Sequence, residues 1–179
     1  MKVMYSTSAI RRYLQESDTA PTADRKGALL ESLAKHLFSK IAGVSFQDKN
    51  VLDGPRAHEL DVVFWNNQPK SSLFFLGAII IVECKNTGRP VSARDVGWYV
   101  RKLQDNGCDH GILLALSGIT GKRDGRSNAY SEVIGALIRD RIRILVLTRT
   151  DILSLVQPAD LVSLLKQKLL QLTLKRVVG

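Results

Sequence analysis

The stretch from Leu73 to Val82 constrains this chain more than any other. It holds ten residues without a charge, and Ile79-Ile80-Ile81-Val82 is β-branched throughout. Such residues fit a pleated, buried surface. A membrane span needs roughly 20 apolar residues, so the run predicts a buried strand, from Phe74 to Cys84, and no membrane anchor. A strand this apolar must be covered on both faces, which points to a sheet between layers of helix.

The flanking segments supply those layers. Asp24 is placed to cap a helix from Arg25 to Lys40, where Leu29, Leu30, Leu33, Ala34, Leu37 and Phe38 repeat at helical spacing. Val44 to Gln47 reads as a short strand and Leu60 to Trp65 as another, followed by a turn at Asn66-Asn67-Gln68-Pro69. Ser92 is placed to cap a helix running to about Asn106, with Gly107 as its stop. Gly111 to Leu116 is a buried strand, Ala129 to Asp140 a helix, Ile142 to Leu147 a strand, and Asp151 to Val156 a helical turn. Asp160 to Leu174 forms the last helix, and Ser8 to Gln15 a short one near the start. Ser117 to Asn128 is a Gly-rich, basic loop. Close β-β connections predict antiparallel pairing in the first half, and the strand–helix–strand unit parallel pairing in the second. The expected class is α/β, a mixed β-sheet flanked by helices, in a single domain over 1–179. Its core spans about 24–156, with a short N-terminal arm and a C-terminal helix.

Chemistry gathers at the end of the apolar run. Glu83 and Lys85 are two residues apart on a strand, so their side chains share a face while Cys84 points away. Glu83 is the only acidic residue between Val62 and Arg94. A carboxylate among isoleucines needs a partner or a metal. One reading is a simple Glu83–Lys85 ion pair where the strand emerges. Asp61 favours another: in Leu60-Asp61-Val62-Val63-Phe64 it faces away from Leu60 and Val62, and strand pairing would bring it beside Glu83. Two carboxylates that close repel unless a cation lies between them, and oxygen ligands favour Mg²⁺ or Mn²⁺. The bland alternative leaves Asp61 at the surface, beginning its strand.

Composition narrows the partners. The net charge is +9, which favours a polyanion: nucleic acid first, an acidic membrane surface second. The two cysteines and three histidines make no zinc-type pair, and two lone cysteines suit a reducing, cytoplasmic setting. Trp65, Trp98 and Tyr99 read as packing residues. Lys166, Lys168, Lys175 and Arg176 read as the solvated face of the last helix. Gly121-Lys122 lacks the spacing of a phosphate-binding loop.

An Asp on one strand followed by Glu-x-Lys on the next resembles the signature of the PD-(D/E)xK, restriction-endonuclease-like nucleases. Here it reads Glu59-Leu60-Asp61-Val62-Val63, then Ile81-Val82-Glu83-Cys84-Lys85-Asn86. The helix Lys26-Gly27-Ala28-Leu29-Leu30-Glu31-Ser32-Leu33 looks like that family's first core helix, which often carries a Glu. The segment Val91 to Leu114 and Ser117-Gly118-Ile119-Thr120 are similar to the region after the motif in Mrr-like restriction nucleases. The resemblance covers about residues 24–156. No proline directly precedes Asp61, Asp95 stands where relatives often carry Gln, and the 22-residue spacing from Asp61 to Glu83 implies a long hairpin.

The resemblance implies a restriction-endonuclease-like three-layer fold and a Mg²⁺- or Mn²⁺-dependent endonuclease of the restriction or defence type. It implies Asp61, Glu83 and the Cys84 carbonyl as metal ligands, with Glu31 reaching the metal directly or through water. Glu31 also reads as a solvated helix-face residue. Lys85 would activate water and stabilise the transition state. Arg89, Arg94, Lys122, Arg123 and Arg126 are the expected contacts to double-stranded DNA. A homodimer and a partner protein for targeting are compatible. The competing readings are a Holliday-junction or repair nuclease and a non-catalytic DNA-binding module of the same fold.

Overall fold

The structure, a computed structural model, describes residues 3–52, 59–121 and 128–175. It is an α/β arrangement of five strands in one open, mixed sheet of order β1-β2-β3-β4-β5, flanked by helices. The strands are β1 (Val44–Leu52), β2 (Glu59–Asn66), β3 (Ile79–Lys85), β4 (His110–Ala115) and β5 (Arg143–Leu147). The first three pair antiparallel, and β3-β4 and β4-β5 pair parallel. The helices are α1 (Thr7–Thr19), α2 (Ala23–Phe38), α3 (Ala93–Asp105), α4 (Ala129–Gly135), α5 (Arg149–Leu153) and α6 (Pro158–Leu170). No helix is long and apolar enough to cross a membrane among the described residues.

Side-chain alternation along β2 and β3 assigns the two helical layers. Phe64 pairs with Ile80 and Val62 with Val82, and Phe64 lies 5.3 Å from Phe38 of α2, ring centre to ring centre. That face therefore belongs to α2, with α1 packed upon it. The opposite face carries Ile81 and Glu83 and belongs to α3. Tyr99 of α3 donates its hydroxyl proton toward the carbonyls of Ile81 (2.8 Å) and Ile112 (3.1 Å). Gly111 leaves room for this, since a Cβ there would stand 2.5 Å from the Tyr99 oxygen.

Several boundaries differ from expectation, each for a local reason. The strand expected from Phe74 begins only at Ile79. Residues before it turn because the buried Asn66 amide donates to the carbonyls of Leu73 (3.0 Å) and Gly77 (3.0 Å). Gln68 also donates to Leu76 O (2.6 Å). Those carbonyls are thereby satisfied without a partner strand. Thr22, not Asp24, caps α2 by accepting from Arg25 N. The last helix starts at Pro158, and Asp160 works in its first turn by accepting from the Val156 and Gln157 backbone N–H groups. The helix from Ala129 becomes a π turn over Ala136–Asp140, and β1 extends five residues past Gln47. Lys168 is not solvated: it is 8% exposed and bonds Asp151 at 3.0 Å.

Candidate active site

β3 delivers Glu83 and Lys85 to the α3 face at its C-terminal end. The β2–β3 register pairs Val62 with Val82, and continuing it by one residue sets Asp61 across from Glu83. Asp61 is fixed there by the backbone: its Oδ2 accepts from the Cys84 N–H at 2.7 Å. Glu83 is almost fully buried, 1% exposed. Its two oxygens are bound separately, Oε1 by Lys85 Nζ and Oε2 by Lys102 Nζ, each at 2.8 Å. The result is two carboxylates and two ammonium groups under one helix.

The electrostatics are uneven across this group. Burial, and then the Glu83 charge, push the Asp61 carboxyl up to about 6, against the pull of the Cys84 N–H, Lys102 and Lys85. Burial opposes the Lys85 charge, yet Glu83, Asp61 and Asp95 outweigh it and hold the ammonium above its ordinary value. Burial, then Asp61, Glu83 and Glu31, drives the Cys84 thiol up. It stays a neutral, apolar side chain on the α2 face, and both cysteines are free.

Lys102 carries no part in the expectation drawn from sequence. A signal for it is nonetheless present. It lies on α3 beside Tyr99, Val100 and Leu103, all buried, so its side chain enters the interior stripe. A lysine placed there, near a strand whose single acid is Glu83, has one available counter-charge.

The other expected residues are distributed as follows. Glu31 does not join Asp61 and Glu83. It sits on α2, across the sheet from the α3 layer, with Lys49 of β1 at 3.5 Å. It is buried all the same, and its Oε2 has no hydrogen-bond partner. Arg89 is exposed in the loop after β3. Arg94 lies on the first turn of α3. Lys122, Arg123, Arg126 and Arg176 lie outside the described residues. Asn86 ties the end of β3 to the α1–α2 layer by donating to Ser17 Oγ (2.7 Å), which donates in turn to Lys26 O (3.0 Å).

A cleft of about 790 Å³ opens directly over Glu83 and Lys85, with Arg94, Trp98 and Arg101 of α3 on one wall and Glu132 of α4 on the other. Contrary to the packing role expected of it, Trp98 is 46% exposed there, and Trp65 is 47% exposed elsewhere. Tyr99 alone of the three is buried.

Among the described residues, no three His, Cys, Asp or Glu side chains gather as a metal cluster. The donor set still fits one hard cation. Mg²⁺ typically takes one or two carboxylates and fills its remaining positions with water and phosphate. Asp61, held high first by burial and then by the adjacent Glu83 anion, is the kind of group a cation would relieve. Comparison with protein-family models, with curated proteins and with solved structures found no match to this chain.

Proposed function

We propose that this protein is a metal-dependent nuclease with a restriction-endonuclease-like fold, acting on the phosphodiester bonds of DNA. One observation carries the reading: Asp61 and Glu83 face each other on paired strands, with Lys85 alongside, at the foot of an open cleft. Clustered carboxylates are a poor device for simple DNA binding, since they repel phosphates. They make sense as a seat for a divalent ion.

Asp61 and Glu83 would hold Mg²⁺ or Mn²⁺, with the Cys84 carbonyl as a further ligand. When bound, the ion supplies Lewis-acid polarisation of the phosphate and a lowered pKa for water. The chain supplies the rest. The Cys84 N–H fixes Asp61, and Lys102 fixes Glu83 from the interior side. Lys85 is the cation nearer the cleft, with its side chain 31% exposed against 7% for Lys102. Its ammonium would meet negative charge as it develops on the phosphate oxygens. Glu31, paired with Lys49 on the α2 face of the sheet, stands outside this arrangement.

The test is incubation with plasmid DNA under Mg²⁺, Mn²⁺ or EDTA, read for nicks and double-strand breaks. Cleavage dependent on metal and lost in Lys85→Ala supports the reading. Failure to cut with either metal, when calorimetry shows metal bound, overturns it.

A further inference from the structure

Each carboxylate of the proposed metal seat has one oxygen committed to the protein's own interior. Asp61 Oδ2 accepts from the Cys84 N–H at 2.7 Å. Glu83 Oε2 is held by Lys102 Nζ, and Oε1 by Lys85 Nζ, each at 2.8 Å. The two lysines hold Glu83 on different terms. Lys85 ends β3 at the cleft, part-exposed, with room to turn outward. Lys102 is buried and comes from the interior stripe of α3.

The backbone that carries Lys102 is anchored as well. Tyr99, one turn earlier on the same helical face, donates toward Ile81 O and Ile112 O. Ile81 lies two residues before Glu83 on β3. Ile112 precedes Leu113, which pairs with Glu83 across the β3–β4 ladder and is itself buried. Helix and sheet are thus tied together beside the carboxylate. A cation arriving from the cleft can take Oε1 from Lys85, but it finds Oε2 already bound.

How many oxygens a carboxylate offers bears on which cation fits. Mg²⁺ demands a near-ideal octahedron at about 2.0–2.1 Å and keeps several waters. Both oxygens of one carboxylate strain that octahedron. Ca²⁺ takes about 6–8 oxygens at roughly 2.3–2.6 Å in flexible geometry, and accepts both oxygens of a carboxylate readily. We infer that Lys102 is a positioning residue that restricts Glu83 to ligation through one oxygen, and so selects Mg²⁺ over Ca²⁺. This deepens the metal-dependent reading above and rests on it. The charge of Lys102 repels either divalent ion alike, so it cancels when the two are compared. Its hold on Oε2 does not cancel.

The test is calorimetric titration of Mg²⁺ and of Ca²⁺ into wild type, Lys102→Met and Lys102→Arg. Lys102→Met should raise the ratio of Ca²⁺ to Mg²⁺ affinity about 10- to 100-fold, the range for losing the partner of a metal ligand. Lys102→Arg keeps a charged donor, and its ratio should stay near wild type. A merely structural role would weaken both ions together and leave the ratio where it was, and that result overturns the inference. A measurement on wild type covers a variant that fails to fold. With ¹⁵N-labelled lysine, NMR should show the Lys102 ammonium as protected from solvent exchange at saturating Mg²⁺ as that of Lys168, which bonds Asp151. Exchange of Lys102 hastened by Mg²⁺ overturns the inference too. Wild type that binds neither ion sinks the metal reading and this inference with it. Metal bound without plasmid cleavage sinks the nuclease alone, and metal-dependent cleavage with an unchanged ratio sinks the role of Lys102 alone.

Discussion

Two buried lysines sit against carboxylates in this molecule, and their settings differ. Lys168 of α6 bonds Asp151, whose Oδ2 also accepts from the Thr148 backbone N–H and hydroxyl. One acid meets one base, and the acid doubles as a helix cap. Lys102 of α3 bonds Glu83, but Lys85 claims the other Glu83 oxygen and Asp61 stands opposite. There, two acids and two bases share a space that opens onto a cleft, and one acid is held at about 6. A buried pair that only joins elements is complete in itself. The Glu83 group holds an excess of interactions that a ligand could reorganise.

The largest test of that contrast is catalytic. Lys85→Ala should lower DNA cleavage ~100- to 1,000-fold, as for loss of one transition-state donor. Duplex affinity, measured in Ca²⁺, should remain near wild type. Lys168→Ala should leave the rate per folded molecule unchanged, and an equal loss in both variants would erase the distinction.

Stability comes next. Lys102→Ala and Lys168→Ala each break a buried pair, and urea unfolding should show each costing about 3–5 kcal/mol. Their effects on Asp61 should diverge. Lys102 lowers the Asp61 pKa, so its removal should raise the NMR titration midpoint further, while removal of Lys168 should not move it.

A smaller effect follows from the sign of the Asp61 shift. Its folded value, about 6, lies above the ordinary 3.8. Protonation therefore favours the folded state, and that contribution is lost as pH rises through 6. In EDTA at pH 7, Asp61→Asn should melt a few degrees above wild type, on a scale of ~2–4 °C per kcal/mol at this chain length. The gain should vanish near pH 4. Calorimetric titration should also show Mg²⁺ binding weakened in this variant. A lower melting point at pH 7, with metal affinity intact, would make Asp61 an ordinary structural acid.

The smallest effect concerns the cleft arginines. Duplex affinity should fall with salt at a slope of about 0.9 per phosphate neutralised. Arg101→Ala should reduce that slope by about one, and an unchanged slope would place Arg101 away from the phosphates.

The architecture was largely legible because each strand announces itself locally. Ile79 to Val82 is strand by residue type alone, and Ser92 caps α3 with its partner Asp95 three positions on. The meeting of Asp61 with Glu83 was legible from period two and antiparallel pairing. What the sequence hid is tertiary. Phe74 to Leu76 has the composition of a strand, and the Asn66 and Gln68 side chains hold it in a turn. Lys168 looks like a surface lysine until its helix is docked. Trp98 looks like core until the cleft beside it is seen, because burial of an aromatic depends on neighbours far away in sequence.

Asn66 reaches further than its turn. Its backbone N–H bonds Ala78 O at 2.7 Å while its amide gathers the Leu73, Leu76 and Gly77 carbonyls. Together these fix how many residues separate the end of β2 from the start of β3. In a sheet, a slip of one residue exchanges the two faces, so Cys84 would move into the place of Glu83 and the thiol would face Lys102. The excursion thus works like a reading frame. Insertions of a single residue, which surface loops commonly absorb, would here translate the wrong side chain into the site, although none of the turn's residues touches the chemistry.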